Sequence, residues 1–323
     1  MLNFHPLTER DLDELRPYFR DNPSRLCDLT VGGIFIWRDY YKTEYAIHEG
    51  VLYFKVDYPG TGTMFTLPHG GDIHQAYEQV RAYCQKRDIP IIFYPIPRQE
   101  LDALVAHFPC ARVMCDRDTF DYLYEVQALQ YFKGKKLAGQ RNHVNRFLRT
   151  YDNWRFAPLT GADLPAATAF LDRYAAAVQK DSGSFAEDLD KTRQVLGNVE
   201  RYGMVAGALW IGEEIVGLSV GEVLGDTLFI HIEKAHRTVE GGYQMLVSQF
   251  AQRFAPAGVA YINREDDTGD AGLRASKLSY KPIELLEKYA VTVEEGPCPG
   301  REGRWQAVET EILNVPCPCA EKS

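Results

Sequence analysis

A nine-residue segment near the start of the chain recurs in its second half, and this repetition constrains the fold more than any other feature. Residues 4–12 read FHPLTERDL and residues 156–164 read FAPLTGADL, so six of the nine positions are identical. Each copy reads as a short strand, a threonine suited to cap a helix, and an amphipathic helix. The sequence therefore predicts a duplicated domain in which each copy begins with a strand and a helix.

The length and charge agree with two globular domains. A chain of 323 residues fits two domains of roughly 150 residues each. Its net charge of −9 argues against a nucleic-acid or membrane binder with a basic surface throughout, but allows a local basic patch. No apolar run reaches the roughly 18 residues of a membrane span, and residues 1–15 lack the pattern of a signal peptide. We expect a cytoplasmic protein with no membrane span.

The seven cysteines are scattered and odd in number, which favours reduced thiols. Cys298, Cys317 and Cys319 lie near the C-terminus, but Cys-Pro-Cys is not the spacing of a zinc site and a fourth ligand is not evident. We predict no metal site and interpret residues 298–323 as a tail.

The order of the predicted elements indicates the fold class. In the first half, hydrophobic patterns predict strands at 33–37, 45–48, 51–56 and 91–94 and helices at 73–86 and 99–108. In the second half they predict helices at 164–178, 186–202, 242–254 and 269–280 and strands at 205–211, 215–223, 227–233, 259–263 and 289–293. This second order resembles the Gcn5-related N-acyltransferase fold. We therefore predict an α/β protein with mixed sheets, built from two such domains in tandem.

The predicted domains are 1–130, a basic connecting helix at 131–153, and 154–297, followed by the tail. The first domain has no charge at the end of its buried strand, where IIFY at 91–94 continues into proline. We predict that this domain is noncatalytic and shapes the substrate groove.

A block of charge directly follows a buried strand in the second domain. We call residues 263–267 the strand-end motif; they are Asn263, Arg264, Glu265, Asp266 and Asp267. The helix predicted after them places Arg274, Lys277 and Lys281 on one face and an apolar stripe on the other, formed by Ala271, Ala275 and Leu278. Charge crowded where a strand meets a helix indicates a site that handles an anion or a reactive group.

Several motifs occur together in one order: YLY at 122–124, GKK at 134–136, RNHVNRF at 141–147, IEKA at 232–235, NREDD at 263–267, GLRASKLSY at 272–280 and KY at 288–289. With them the chain resembles bacterial proteins grouped with the C-terminal domain of phosphatidylglycerol lysyltransferase. The resemblance covers nearly the whole chain and implies tandem acyltransferase-like domains, similar also to Fem peptidyltransferases. Those relatives pass an amino acid from aminoacyl-tRNA to an amine or hydroxyl acceptor. A lipid acceptor is not implied, because this chain has no membrane-spanning half.

The resemblance and the fold together suggest catalytic residues. The resemblance assigns Lys277, with Arg274 beside it, to steady developing negative charge. In this fold the strand 227–233 and the next one splay apart, which puts Glu233 and Asn263 on either side of a gap. Glu233 is the candidate base, since a carboxylate in a partly desolvated cleft can accept the proton that an amine loses. A structural ion pair is the alternative for Glu233.

The candidate substrate-binding residues are His231, Lys234, Tyr243, Asn263, Arg264, Glu265, Asp267 and Tyr280. For most of them a structural interpretation stays open. Arg264 and the acidic residues after it would equally form an internal salt-bridge network. His231 is more often a hydrogen-bonded core histidine, and Tyr280 is either an acid for the leaving group or a packing residue.

A local basic segment lies between the domains. Residues 126–151 contain no acidic residue, and the candidate phosphate-binding residues there are Lys135, Lys136, Arg141, Asn142, His143 and Arg146, with Lys133 and Arg149 nearby. Leu137, Val144, Phe147 and Leu148 form a helical apolar stripe, so the cations should line the outer side. The segment is either a tRNA contact or a solvated connecting helix.

The acyl donor stays open between two classes. The usual coenzyme A loop of Gcn5-related enzymes is absent, and Glu240 precedes Gly241 and Gly242 instead. This departure favours aminoacyl-tRNA over acetyl-CoA. The alternatives are an acetyl-CoA-dependent N-acetyltransferase and a noncatalytic binding module with a decayed site.

Overall fold

The computed structural model describes residues 1–58, 60–178 and 183–294. These residues form two compact units. The first unit contains residues 1–121, 266–269 and those from 286 onward, and the second contains 122–265 and 270–285. The units therefore do not correspond to one cut in the chain near residues 130–153.

The described residues form the following strands and helices. The strands are β1 His5–Pro6, β2 Glu44–His48, β3 Val51–Tyr58, β4 Gly62–Phe65, β5 Ile91–Pro97, β6 Ala111–Cys115, β7 Asp121–Glu125, β8 Trp154–Pro158, β9 Val205–Ile211, β10 Glu214–Leu224, β11 Thr227–Ala235, β12 Tyr261–Asn263, β13 Glu284–Leu286 and β14 Lys288–Val293. The helices are α1 Leu12–Asp21, α2 Val31–Trp37, α3 Ile73–Arg87, α4 Arg98–His107, α5 Val126–Tyr131, α6 Ala138–Thr150, α7 Leu164–Val178, α8 Gly183–Leu196, α9 Val199–Tyr202, α10 Gly242–Phe254 and α11 Ala271–Ser279.

The first unit is built on a seven-stranded mixed sheet in the order β1-β2-β3-β4-β5-β14-β6. Only β4 and β5 are parallel neighbours, and the pairs on either side of them are antiparallel. Helices α3 and α4 pack their apolar residues against this sheet around Phe93, Val80 and Leu104. Tyr289 and Val291 of β14 belong to the same core, so this last strand is an integral part of the unit.

The second unit is built on a sheet in the order β13-β7-β12-β11-β10-β9-β8. Here β11 and β12 are parallel, and β7 pairs antiparallel with β12. Helix α10 contributes Phe250 and Val247 to one core cluster and Leu246 to another, so it covers this sheet over much of its length. The two mixed sheets, one in each unit, confirm the predicted α/β class with two tandem units.

The sequence repeat forms the same helix start in both units. Thr8 donates its backbone N–H and its hydroxyl to the Asp11 carboxylate, at 2.7 and 2.8 Å. Thr160 does the same with Asp163, at 2.9 and 2.7 Å. The threonine and aspartate that are identical in the two copies are therefore a capping box, which satisfies backbone donors that a helix start leaves open.

The apolar run at 33–37, predicted as a strand, is helical instead and forms most of α2. Thr30 caps this helix, since its hydroxyl accepts from the Gly33 N–H at 3.0 Å. Gly33 lets the backbone approach closely, because a Cβ there would lie 2.0 Å from the Cys27 carbonyl oxygen. Apolar runs this short do not distinguish strand from helix.

Two further predictions of local structure need correction. The predicted helix 186–202 is divided into α8 and α9. The predicted final strand of the second domain is β14, which lies between β5 and β6 in the first sheet, whereas β7 fills the matching place beside β12. Each sheet thus contains a strand from the other half of the sequence.

The thiols and helices bear on the expected compartment. Cys27, Cys84 and Cys115 are free, but Cys110 is disulfide-bonded, which departs from the expectation of reduced thiols throughout. Cys298, Cys317 and Cys319 lie outside the described residues. Among the helices that the structure describes, none combines the length and apolar character needed to cross a bilayer.

Helix α6 packs closely against the turn before α10. Gly241 has a φ of +74°, and a Cβ at this position would lie 2.2 Å from the carbonyl oxygen of His143. The glycine is therefore needed twice, for its backbone conformation and for the contact with α6.

We expect Gly241→Ala to lower the free energy of unfolding by about 2–4 kcal/mol, because backbone strain and a steric clash add. Gly258→Ala is the matched control, since Gly258 also has a positive φ but nothing lies near its missing Cβ; its expected loss is about 1 kcal/mol. Urea denaturation of both variants measures the difference. Equal losses would contradict the packing role of Gly241.

Candidate active site

Two parallel strands of the second unit separate at the strand-end motif. β11 and β12 are in register from Thr227–Tyr261 to Phe229–Asn263. β12 ends at Asn263, whereas β11 continues as far as Ala235. Beyond residue 229, β11 therefore has no register with β12, and the gap expected between the two strands stays a prediction.

Each charged residue of the strand-end motif contacts an opposite charge within its own unit. In the second unit, Arg264 contacts Glu233 at 2.6 Å and Glu265 contacts His231 at 2.8 Å. In the first unit, Asp267 contacts Arg117 at 3.4 Å and Asp266 contacts Lys288 at 3.7 Å. The salt-bridge network that the sequence left as an alternative is therefore present, and it includes the candidate base.

The Arg264–Glu233 pair is buried and incompletely satisfied. Arg264 is only 8% exposed, and its guanidinium lies 4.4 Å from the ring centroid of Tyr280 and 5.8 Å from that of Tyr124. Glu233 Oε2 and Arg264 Nη1 are both buried and have no hydrogen-bond partner among the described residues. One acceptor atom and one donor atom of this ion pair are thus buried without a hydrogen bond. This costs free energy unless a ligand forms the missing hydrogen bonds.

The charge of Arg264 is kept by Glu233, and the protons of the two neighbouring phenols are kept by burial. Burial opposes the charge of Arg264, but the Glu233 carboxylate outweighs it and raises the pKa of the guanidinium. Burial also raises the pKa of the Tyr124 and Tyr280 phenols above the ordinary value. Both phenols therefore stay neutral, and Tyr280 retains a proton that it can donate.

His231 forms a buried triad with two carboxylates. Its Nε2 lies 2.9 Å from Glu222 and its Nδ1 lies 2.8 Å from Glu265. Burial opposes protonation, but the hydrogen bonds to both carboxylates outweigh it and raise the pKa of His231 to about 10. The ring is thus an imidazolium at neutral pH, which makes it a structural cation and not a base or a metal ligand.

Lys277 lies inside the second unit and does not face solvent. It is 7% exposed, and its Nζ donates to the Arg264 carbonyl at 2.5 Å. Its own carbonyl accepts from the Tyr124 hydroxyl at 2.8 Å. The ammonium therefore fixes the backbone of the strand-end motif, directly beside the Arg264–Glu233 pair.

In helix α11 the face predicted to be apolar and buried is exposed, and a residue of the basic face is buried. Ala271, Ala275 and Leu278 are exposed, so the apolar stripe is not a core face, and Lys277 is the buried residue of the helix. Asp270 caps the helix by accepting from the Leu273 N–H. The helix start already has a carboxylate, which removes the reason to expect an anion there. Arg274 is half-buried one turn before Lys277.

The other predicted substrate residues fall into two places. Asn263 is buried at the end of β12, where its Oδ1 accepts from the Glu265 N–H at 2.6 Å. Lys234 donates to Asp188 at 2.6 Å and lies over the Tyr174 ring. Burial, with the neighbouring Tyr243, raises the pKa of the same Tyr174. Lys234 and Tyr243 thus lie beside α7 and α8, and Tyr243 is also close enough to contribute to the raised pKa of Tyr280 beside Arg264.

The basic segment is exposed, as predicted, but two of its arginines have structural partners. Arg141 donates to the carbonyls of Phe132 and Gly134, and Arg146 forms an ion pair with Glu240. The exposed members include Lys133, Lys135, Lys136, Asn142, His143 and Arg149. In the apolar stripe Phe147 is buried, whereas Leu148 is exposed.

The sequence analysis missed a charged cluster in the first unit. Lys288 is fully buried, and its Nζ contacts Asp121 at 2.7 Å, Cys27 Sγ at 3.4 Å and the Asp28 carboxylate. Cys27, Asp28 and Asp121 have the spacing of metal ligands, but the ammonium already contacts all three. The KY motif at 288–289 was the only signal, because no local pattern brings these residues together.

The triad of His231 predicts a pH effect on stability. A histidine whose pKa rises from 6.5 to about 10 on folding stabilises the native state fully below pH 6.5, and this contribution is lost as the pH rises towards 10. The stability advantage of the wild type over His231→Gln should therefore shrink across that window in urea denaturation. Asn142→Gln, at an exposed position without a titrating side chain, should show a constant difference. A constant difference for His231→Gln would mean that the ring is neutral.

Comparisons with known proteins agree with this architecture. The chain is 29% identical to a conserved protein of unknown function from Bacteroides thetaiotaomicron, with a TM-score of 0.85 over 91% of this chain and all of that one. The C-terminal domain of a putative lysylphosphatidylglycerol synthetase from Agrobacterium fabrum has the same fold at 14% identity, with a TM-score of 0.65 over 89% of this chain and 93% of that one. L-PGS from Bacillus licheniformis has the same fold at 17% identity, with a TM-score of 0.62 over 88% of this chain and 92% of that one.

Sequence comparison identifies the family. An uncharacterised protein from Mycoplasmoides gallisepticum is 29% identical over 174 residues, which are 54% of this chain and 56% of that protein. The match thus spans about half the length of this curated relative. The family profile described as phosphatidylglycerol lysyltransferase, C-terminal, matches residues 19–292. The chain therefore belongs to this acyl- or aminoacyltransferase-like family.

Proposed function

We propose that this protein transfers an aminoacyl group from aminoacyl-tRNA to a small amine or hydroxyl acceptor. The observation that carries the proposal is the incompletely satisfied Arg264–Glu233 pair where β11 and β12 separate. The proposed donor is cytoplasmic, and we place the protein there too.

The two unsatisfied atoms of the pair suit the two changes that occur in aminoacyl transfer: negative charge on the ester oxygen and loss of a proton from the acceptor. Arg264 Nη1 is a donor for the carbonyl oxygen of the ester, which becomes negative when the acceptor attacks. Glu233 Oε2 is an acceptor for the proton that the attacking amine or hydroxyl loses. Because the guanidinium and carboxylate are buried side by side, both interactions occur in a medium of low dielectric constant, where they are strong.

The reaction follows from this placement. The acceptor nitrogen or oxygen forms a bond to the ester carbon while Glu233 takes its proton. The ester C–O bond then breaks, and the terminal ribose oxygen of the tRNA leaves with the proton that Glu233 took, passed directly or through the Tyr280 hydroxyl, so that both side chains return to their starting state. Arg264 thus takes the charge-stabilising role first assigned to Lys277, and Lys277 positions Arg264 through its backbone carbonyl.

The turn before α10 supports aminoacyl-tRNA over acetyl-CoA as the donor. The Gly242 N–H donates to the Val239 carbonyl at 3.0 Å, so it is not open to a phosphate. Gly241 is required by its contact with His143 in α6. The two glycines therefore have a packing reason, and a pyrophosphate cradle made from free N–H groups is not needed to explain them.

The exposed lysines of the basic segment support a contact with tRNA. Lys133, Lys135 and Lys136 lie together after α5, and Lys133 lies 4.9 Å from the ring of the exposed Tyr131. Arg141 and Arg146 have structural partners. We therefore assign the phosphate contacts mainly to the lysines.

We expect Glu233→Gln to slow transfer from a pool of charged tRNAs to an amine acceptor by about 10²–10⁴-fold, because the amide cannot accept the proton. Glu213→Gln changes an exposed carboxylate of the same unit and should leave the rate unchanged. Thermal unfolding checks that both variants are folded. Full transfer by Glu233→Gln would remove it as the base. Acyl transfer from coenzyme A derivatives alone would favour an acetyltransferase, and ligand binding without turnover would favour a binding module.

We expect the double variant Lys135→Glu, Lys136→Glu to weaken tRNA binding and to reduce the slope of log affinity against log salt by about two, since two phosphate contacts are lost. Lys281→Glu alters an exposed lysine outside the segment and should have little effect. Filter binding at several salt concentrations measures the slope. An unchanged slope would make the segment a solvated connection.

A further inference from the structure

The first unit contains a cavity that the proposed transfer reaction does not use. Its volume is about 60 Å³. The buried floor includes Ile34 and Phe54, and the half-buried rim is formed by Tyr41, Tyr58, Tyr94 and Asp28. The cavity wall thus combines apolar side chains with the buried residues Thr43 and Thr66, three phenols and one carboxylate.

The tyrosines of the rim form two walls. Tyr41 and Tyr58 stack with their ring centroids 5.1 Å apart and an angle of 12° between planes. Tyr94 meets Tyr58 edge to face at 5.7 Å and 78°. Electron-rich rings set at nearly right angles around one space are a typical arrangement for binding an organic cation, since the ring faces attract positive charge.

A carboxylate completes the rim. Asp28 Oδ2 contacts the Lys288 ammonium and lies 3.5 Å from the Cys27 thiol, whereas its Oδ1 makes no hydrogen bond or ion pair with the described residues. Lys288 is shared among Asp28, Asp121 and Asp266, so one ammonium serves three carboxylates. Asp28 is the member of this cluster that lines the cavity.

The phenols of the rim are kept neutral mainly by burial. Burial is the largest cause that raises the pKa of Tyr41 and Tyr58, and the charge of Asp28 acts in the same direction. For Tyr58 the charge of Asp266 adds to the rise, whereas the Lys288 ammonium opposes it. A cation in this space therefore depends on direct contact with the Asp28 carboxylate.

We propose that this cavity binds a primary ammonium group carried on a short aliphatic chain. The ammonium contacts Asp28 Oδ1 and the faces of Tyr58 and Tyr94, and the aliphatic chain packs on Ile34 and Phe54. The volume suits a few non-hydrogen atoms, such as an amine head group, and not a nucleotide. The site belongs to the unit predicted to be noncatalytic and stands whether or not the second unit transfers aminoacyl groups.

Calorimetric titration of the whole protein with n-butylammonium tests the site, with 1-butanol as the uncharged probe of similar shape. We expect saturable binding of the ammonium with a Kd on the order of 1 mM or tighter, and no saturable binding of the alcohol. Asp28→Asn should weaken ammonium binding at least about tenfold, the loss of one strong charge interaction. Asp57→Asn, at an exposed carboxylate of the same unit, should leave it unchanged.

Asp28→Asn also disturbs the Lys288 cluster, so a second pair of variants measures the contribution of the aromatic rings to binding on its own. Tyr94→Phe keeps the aromatic face and should bind n-butylammonium within about twofold of the wild type, whereas Tyr94→Leu should lose about fivefold or more. Equal binding of the alcohol, equal binding by Tyr94→Leu, or the absence of saturable ammonium binding would each overturn the proposal. Failure of the tRNA transfer assay would not affect it.

Discussion

The second unit depends on burying one arginine at the point where a strand ends. Arg264 follows β12 directly, and its guanidinium lies near the rings of two tyrosines and is paired with Glu233 of β11. A charge this deep is tolerable only with a partner, because removing it from water costs several kcal/mol. The pair therefore ties the two strands together just beyond their last hydrogen-bonded register, and it holds them in the geometry that the proposed chemistry needs.

Structure and function are not competing explanations of the strand-end motif. Its four charges all have partners, and such networks usually have a structural role. The Arg264–Glu233 pair differs because it leaves a donor and an acceptor unsatisfied in the interior. The His231 triad and Lys277, which donates to the Arg264 carbonyl, hold the surrounding residues in place. The two atoms without a hydrogen bond are therefore pre-positioned for a ligand.

Regular patterns made much of the fold predictable from the sequence. The threonine and aspartate of the repeat formed the same capping box twice, and α7, β9 and α10 begin and end where their periodicity predicts. Long-range pairing was not predictable. Hydrophobic alternation in β14 does not specify which sheet it joins, and Lys288 meets Cys27 across 261 positions of sequence. The faces of α11 were misjudged because Lys277 is buried by contacts from distant strands, which override local amphipathicity.

The position of β14 has a consequence for biosynthesis. This strand lies between β5 and β6, which have no hydrogen bonds to each other in the sheet order. A nascent chain that has emerged only through its first half therefore exposes two unpaired edges and a gap in its core. N-terminal domains commonly fold while the ribosome is still adding residues. Here that unit cannot complete its sheet until residues 288–293 have emerged, so the first unit is finished only after the second unit has been synthesised.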